Sequence, residues 1–197
     1  VRPGPPLPES YGGPGRTHAE TAVAVEELAR YGYDFAMPVL LSATGTLTLL
    51  DHGTEAQCER LLPAVADGEV RFSIGLTEPE TGSDAAGITT TARREGDEYV
   101  VNGAKTYQSG ALAPGNHVAA YVRTDFESER KGGLSCLLIP VAADGVEAKK
   151  MVLVARKAAG TYDLTFDDAR VPVENRVGPE GEGWSVLSDH LRIEHAY

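Results

Sequence analysis

The pattern of apolar and polar residues changes once along the chain, near residue 70. Before that point the spacing is helical. Thr17 followed three residues later by Glu20 is the signature of a capping box and predicts a helix start. The stretch 35–50 is almost wholly apolar or small and predicts a buried helix beginning near Pro38. Its apolar run is shorter than the ~20 residues that a membrane-spanning helix needs, so we expect a core helix and no membrane span.

Beyond residue 70 the period shortens to that of β strands. Asn102-Gly103 is the strongest hairpin signal, because both central residues of a type I′ turn need a positive φ. Several short strands with turns at this spacing predict a β barrel or sandwich. The predicted strands are rich in Val, Ile, Leu, Tyr and Thr and cover 71–76, 89–93, 98–101, 117–125, 134–141 and 162–166.

A last helix is predicted after Gly183, with Trp184, Leu187 and Leu191 on one face and Glu194 on or beside that stripe. The chain then stops without a helix-ending signal, so we expect further helical structure beyond it. The predicted fold class is therefore α+β. We expect a partial N-terminal helical domain over 1–70, a middle β domain over 71–178, and the first helix of a C-terminal helical bundle over 179–197.

Composition narrows the function classes. With 18 Lys and Arg against 29 Asp and Glu, the formal net charge is −11, which argues against a protein that binds a nucleic-acid backbone. Cys58 and Cys136 predict neither a disulfide framework nor a metal site. No histidine has metal-ligand spacing. Without a basic-then-apolar leader at its start, the chain is expected to be cytoplasmic.

Four motifs in a fixed order resemble those of the acyl-CoA dehydrogenase family of flavoenzymes. They are LTEPETGSD at 76–84, NGAKTYQSG at 102–110, FDDARVP at 166–172 and GPEGEGW at 178–184. Each is weak alone, but together they are specific, and the likeness extends over essentially the whole chain. The resemblance implies an earlier helical segment and a C-terminal four-helix domain, neither of which this chain contains.

The resemblance also implies the cofactor, FAD, and the residues that hold it. Leu76 and Thr77 would contact the flavin ring, and Gly82 and Ser83 would lie beside the pyrophosphate and the thioester end of the substrate. Tyr107 takes the place of an aromatic residue that stacks on the flavin, and Ser109 that of a flavin-contacting hydroxyl; both fit a flat apolar wall with a few donors and acceptors. The alternatives are local: Thr77 and Ser83 as turn or cap residues, Tyr107 as a core aromatic, Ser109 as a loop hydroxyl. Glu78 and Asp84 are expected to hold the loop by hydrogen bonds.

The activity implied is removal of an α proton by a carboxylate and of a β hydride by the flavin, giving a 2,3-enoyl thioester. Glu194 lies where a branched-chain subgroup of the family keeps its base, in Leu191-Arg192-Ile193-Glu194-His195, although His195 departs from the usual Arg. The alternatives for Glu194 are a rim residue paired with Arg192 or His195, or a residue on a helix face exposed by the truncation. A second base could also lie in the missing C-terminal part.

The resemblance implies an acyl-CoA or acyl-carrier thioester substrate, electron-transfer flavoprotein as a partner, a homotetramer and a role in fatty acid metabolism. Two other readings stay open. One is a flavin-dependent oxidase or monooxygenase of the same fold, and the other is a non-catalytic module that binds no flavin.

Overall fold

A computed structural model describes residues 6–128, 130–154 and 156–196. In these residues three α-helices precede the strands and one follows them, which confirms the predicted α+β class. The helices are α1 (His18–Ala29), α2 (Tyr33–His52), α3 (Glu55–Ala66) and α4 (Gly183–Glu194).

The helix starts show how local side chains define the elements. The capping box at Thr17 is confirmed: its backbone N–H donates to the Glu20 carboxylate at 2.8 Å, and the Glu20 N–H donates to the Thr17 hydroxyl at 3.3 Å. A second capping box between Thr54 and Gln57 starts α3. Helix α2 begins five residues earlier than expected, so that Pro38 lies inside it.

Eight strands form one mixed sheet. They are β1 (Arg71–Gly75), β2 (Thr91–Glu95), β3 (Glu98–Ser109), β4 (Asn116–Arg123), β5 (Leu134–Pro140), β6 (Val146–Lys150), β7 (Thr161–Pro172) and β8 (Arg176–Val177). Their order in the sheet is β6-β7-β3-β2-β4-β5-β8, with β1 paired in parallel to β4. The sequence did not predict β6, whose residues are exposed or half-buried, or the two-residue β8.

The predicted hairpin turn at Asn102-Gly103 is wrong, because β3 runs through both residues. The turn between β2 and β3 lies at Gly96 and Asp97, where Glu95 pairs with Glu98. Gly103 has a φ of +141°, and a Cβ there would lie 2.7 Å from the Cα of Thr90. The glycine is needed for close backbone approach at a β-bulge rather than for a turn.

The sheet presents its two faces to two different apolar clusters. In β4, Ala119 and Tyr121 belong to the cluster shared with the helices, whereas Val118, Ala120 and Val122 belong to the cluster enclosed by β2, β3, β5 and β7. This alternation follows from the two-residue period of a strand. The helices therefore share a core with one face of the sheet, whereas the other face encloses a second core; α4 packs on β4 and β5.

Helix α2 is long and apolar enough, by length and composition, to cross a membrane. In the structure 56% of its apolar window is buried inside the protein. Its buried side faces α1, α3, α4 and β1. This packing agrees with the expected core helix.

Candidate active site

Two segments that are distant in sequence meet at the end of β1. The backbone N–H of Thr106 donates to the Thr77 carbonyl at 2.8 Å, which places Thr77 beside the segment of β3 that carries Tyr107. We call Leu76, Thr77, Thr106 and Tyr107 the ledge. The structure thus brings together three of the residues predicted to contact a flavin.

The ledge presents groups that are available to a ligand. Tyr107 lies at an irregularity of the β3–β7 pairing, has a φ of +60° and is 57% exposed, so it is not a core aromatic. A positive φ is uncommon and strained for a tyrosine, and such strain is enriched at functional sites. Among the residues that the structure describes, neither the hydroxyl nor the backbone N–H of Thr77 has a hydrogen-bond partner.

A tight turn leads from the ledge to Gly82 and Ser83. Glu78 and Thr81 exchange backbone hydrogen bonds of 2.8 and 3.1 Å, and Gly82 and Ser83 then follow on the surface. The backbone N–H groups of Gly82 and Ser83 have no acceptor within 6–128, 130–154 and 156–196. A Cβ at Gly82 would find no atom within 4 Å. Consecutive free N–H groups beside open space are suited to a phosphate group.

A buried ion pair holds the backbone of the ledge in place. The Nζ atom of Lys105 donates to Glu78 Oε1 at 2.8 Å, to the Leu76 carbonyl at 3.2 Å and to the Tyr121 carbonyl at 2.6 Å. Glu78 also accepts the N–H groups of Thr89 and Thr90. This confirms that Glu78 holds the loop. Asp84 forms an exposed ion pair with Arg130 instead.

The two pKa values show that this pair is ionised at neutral pH. Burial alone would raise the pKa of Glu78, but the Lys105 ammonium and the Thr89 and Thr90 donors outweigh it and hold the pKa at about 2. Burial lowers the pKa of Lys105 to about 8, although Glu78 opposes the shift. Lys105 is therefore a cation, and it donates hydrogen bonds to the Leu76 and Tyr121 carbonyls and to Glu78.

Beyond Tyr107 the strand offers one more unpaired polar atom. Gln108 is buried, and its Oε1 has no hydrogen-bond donor among the described residues. Ser109 is half-buried, and its hydroxyl accepts a 3.1 Å hydrogen bond from Arg156. An orphaned buried acceptor, free N–H groups and an exposed aromatic side chain together fit a flat, polar-edged cofactor with a phosphate tail. The residues present therefore fit FAD.

Helix α4, which packs on β4 and β5, carries a carboxylate in its last turn. Leu76, Trp184 and Leu191 pack against the same apolar cluster. Glu194, one turn from His190 and three residues from Leu191, is half-buried. Arg192 pairs with Asp189 at 2.8 Å, and within the described residues Glu194 has no ion-pair partner. The alternative of a rim pair between Glu194 and Arg192 is not what the structure shows.

The sequence interpretation missed one residue of this region, His190. It is 2% exposed, and its Nδ1 lies 3.1 Å from the Thr48 hydroxyl and 3.2 Å from the Tyr121 hydroxyl. Only its place on the apolar face of α4 could have signalled burial, because both partners are remote in sequence.

Comparison with known families decides what kind of protein carries this site. The model of the acyl-CoA dehydrogenase N-terminal domain matches residues 3–69, and that of the middle domain matches residues 73–169. The chain belongs to the acyl-CoA dehydrogenase family. It spans about half the length of the curated relatives that it matches.

Two relatives illustrate the likeness in sequence. Acyl-CoA dehydrogenase FadE29 of Mycobacterium tuberculosis is 37% identical over 191 residues, which cover 95% of this chain and 47% of that protein. The caffeyl-CoA reductase–Etf complex subunit CarC of Acetobacterium woodii is 35% identical over 195 residues, 95% of this chain and 49% of that protein.

Solved structures agree with the family assignment. An acyl-CoA dehydrogenase from Geobacillus kaustophilus superposes with a TM-score of 0.91 at 34% identity, covering 96% of this chain and 50% of that chain. A glutaryl-CoA dehydrogenase from Mycobacterium smegmatis, in complex with FADH2, gives 0.83 at 27% identity, covering 93% and 46%.

Proposed function

We propose that the full-length protein is an FAD-dependent acyl-CoA dehydrogenase that converts an acyl thioester to its 2,3-enoyl thioester. The observation that carries this proposal is the ledge, where Thr77 and Tyr107 meet with unpaired donors beside the free N–H groups of Gly82 and Ser83. Family membership and the likeness to an FADH2-bound relative support it.

FAD, when bound, supplies the acceptor for the β hydride. In this chain Leu76, Thr77 and Tyr107 would hold the ring, and Gly82 and Ser83 would hold the pyrophosphate. Ser109, at the end of β3, would add a hydroxyl. These residue roles are predictions from the resemblance, supported by their exposure and by their adjacency in the structure.

Glu194 is proposed to remove the α proton. Glu194 is half-buried and has no ion-pair partner in the described part of the chain, so its carboxylate is available to accept a proton. It lies on a helix whose apolar face packs against the same cluster as Leu76. The proton passes from the α carbon to a carboxylate oxygen, and the electron pair of the broken C–H bond stays on the substrate.

The partner and the compartment are also proposals. The relative named as a subunit of a complex with Etf supports electron-transfer flavoprotein as an electron-transfer partner. A thioester on coenzyme A is favoured over one on an acyl carrier by the names of the relatives. A homotetramer and a cytoplasmic location stay predictions, as does the division of the chain at residues 70 and 178.

The proposal is tested with purified full-length protein. We expect bound FAD and anaerobic bleaching of the oxidised flavin by an acyl-CoA of fitting chain length. Protein without flavin that also fails to take up added FAD would favour the non-catalytic module. Rapid reoxidation of the reduced flavin by air, without electron-transfer flavoprotein, would favour the oxidase or monooxygenase.

A further inference from the structure

An arginine from outside the ledge contacts the hydroxyl of Ser109. The Nη1 atom of Arg156 donates a 3.1 Å hydrogen bond to Ser109 Oγ across a separation of 47 residues in sequence. Ser109 is the last residue of β3, two positions beyond Tyr107 of the ledge. The guanidinium of an arginine stays charged throughout the physiological pH range. A cation from a remote part of the chain therefore contacts a residue of the candidate FAD site.

The turn that carries Arg156 is bonded to the end of β3 through the backbone as well. The Arg156 carbonyl accepts a hydrogen bond from the N–H of Gly160 at 3.0 Å. The Gly160 carbonyl in turn accepts one from the N–H of Gly110, also at 3.0 Å, and Gly110 follows Ser109 directly. These backbone contacts keep Arg156 beside Ser109 independently of the contact between their side chains.

The start of α2 holds Arg156 from another side. The guanidinium carbon lies over the ring of Tyr33, 4.8 Å from the ring centroid. The carboxylate of Asp34 accepts a hydrogen bond from the N–H of Ala158 at 3.2 Å. Arg156 itself has a φ of +60°, and strained backbone of this kind persists only where the surrounding structure determines it. The fold therefore directs this side chain at Ser109.

The contact determines what the Ser109 hydroxyl can do. A guanidinium has only donors, so Ser109 Oγ is the acceptor in this hydrogen bond. A serine hydroxyl has a single hydrogen, and in the described part of the chain no acceptor is bonded to that of Ser109. A hydroxyl that accepts from a cation is also a stronger donor, because hydrogen bonds in a chain polarise one another. Ser109 therefore has one donor hydrogen available to a ligand.

The charge of Arg156 is not neutralised by an ion pair with another described residue. Asp163, on the strand paired with the end of β3, instead accepts a hydrogen bond from the Thr106 hydroxyl. A cation that keeps its charge beside a binding site favours a ligand that is negative or becomes negative. Accepting a hydride adds one negative charge to a flavin.

We propose that Arg156 is a positioning residue for the FAD-contacting hydroxyl of Ser109. By donating to Ser109 Oγ, Arg156 turns the hydroxyl hydrogen toward an acceptor atom of the flavin, and its charge favours the reduced cofactor over the oxidised one. The inference rests on the proposed FAD site. It gives Arg156 an effect on the affinity and the reduction potential of FAD, with no contact to the substrate.

A double-mutant cycle on full-length protein measures whether Arg156 acts through Ser109. Arg156→Gln removes the charge, and its amide nitrogen stands at the place of Nε, two bonds short of Nη1. We expect it to weaken FAD binding about tenfold, the effect of losing one hydrogen bond to a charged group. The midpoint potential of bound FAD should become more negative. Ser109→Ala should also weaken FAD binding, and in that background Arg156→Gln should change the affinity little further.

Two further variants separate this role from a general loss of charge or of folding. Lys150→Gln removes one positive charge from the exposed end of β6 and should leave the affinity and the potential at their wild-type values. Arg156→Gly removes the side chain at a positive φ that suits glycine, so the turn should keep its conformation. This variant should match Arg156→Gln, with circular dichroism as the check on folding.

The outcomes distinguish the inference from the proposed function. Wild-type FAD affinity and potential in both Arg156 variants would overturn the inference and leave the proposed function standing. Equal losses of affinity on Arg156→Gln with and without Ser109, or an equal effect of Lys150→Gln, would also overturn it. Wild-type full-length protein that takes up no FAD would refute the proposed function itself.

Discussion

The Nζ atom of Lys105 lies 2.8 Å from Oε1 of Glu78, and both side chains are almost fully buried. The pair connects β3 to the loop that follows β1 and so fixes the backbone of the ledge. A buried ion pair contributes little by its mere presence, but removing one partner leaves an uncompensated charge.

We predict that Glu78→Gln destabilises the protein at pH 7 and makes its free energy of unfolding less dependent on pH in the acidic range. The pKa of Glu78 is about 2 in the folded protein against an ordinary value of 4.5. Between about pH 2 and pH 4.5, Glu78 is therefore more protonated in the unfolded chain than in the folded protein. The stabilisation that ionised Glu78 contributes is complete above pH 4.5 and is lost as the pH falls toward 2.

Urea unfolding from pH 7 down to pH 3.5 measures this dependence. The stability difference between wild type and Glu78→Gln should shrink below about pH 4.5. Glu80→Gln is the matched control, because Glu80 lies two residues away and is exposed. A constant difference in the free energy of unfolding across the whole pH range would show that the pair does not cause the loss of stability in acid.

Gly103 gives a second prediction, on stability alone. We expect Gly103→Ala to lower the free energy of unfolding by about 2 kcal/mol or more, because the added Cβ meets the Thr90 backbone and the residue keeps a positive φ. Gly96→Ala also has a positive φ but has open space around it, so it should lose only about 1 kcal/mol. Equal losses in chemical denaturation would argue against the close approach.

These two sites show what local sequence could and could not predict. The capping box at Thr17 was predictable because its partners are three residues apart. Asn102-Gly103 misled because the dipeptide reports only that φ is positive, and a bulge satisfies that need as well as a turn does. The hairpin turn at Gly96-Asp97 was missed. The exposed, polar strand β6 has no apolar alternation to mark it.

The candidate site was predictable as motifs but not as a cluster. The resemblance named Thr77 and Tyr107, yet their adjacency depends on a backbone hydrogen bond between segments 29 residues apart (106 − 77). His190 was missed because its partners lie 142 and 69 residues away. Contacts of that range are set by the packing of helices on the sheet, which no local pattern encodes.

The ledge itself is tested by cofactor content. Thr77→Ala combined with Tyr107→Ala should lower the FAD content of full-length protein without unfolding it, because Tyr107 is largely exposed and Thr77 is half-buried. FAD per protein, measured by absorbance after dilution and gel filtration, gives the result, and circular dichroism checks the fold. Leu112→Ala serves as the control, since Leu112 is exposed to a similar degree and lies outside the ledge. Full flavin occupancy in the double variant would remove the ledge from the proposed FAD site.

Anaerobic flavin reduction by acyl-CoA in full-length Glu194→Gln tests the central claim most directly. Gln keeps the shape of the side chain and cannot take up the α proton. Glu182→Gln, at the exposed start of α4, is the matched control and should behave as wild type. We predict that Glu194→Gln binds FAD and acyl-CoA but bleaches the flavin more slowly by a factor of about 10² or more, the usual scale for loss of a general base. Bleaching at the wild-type rate would contradict the account and would place the base elsewhere in the protein.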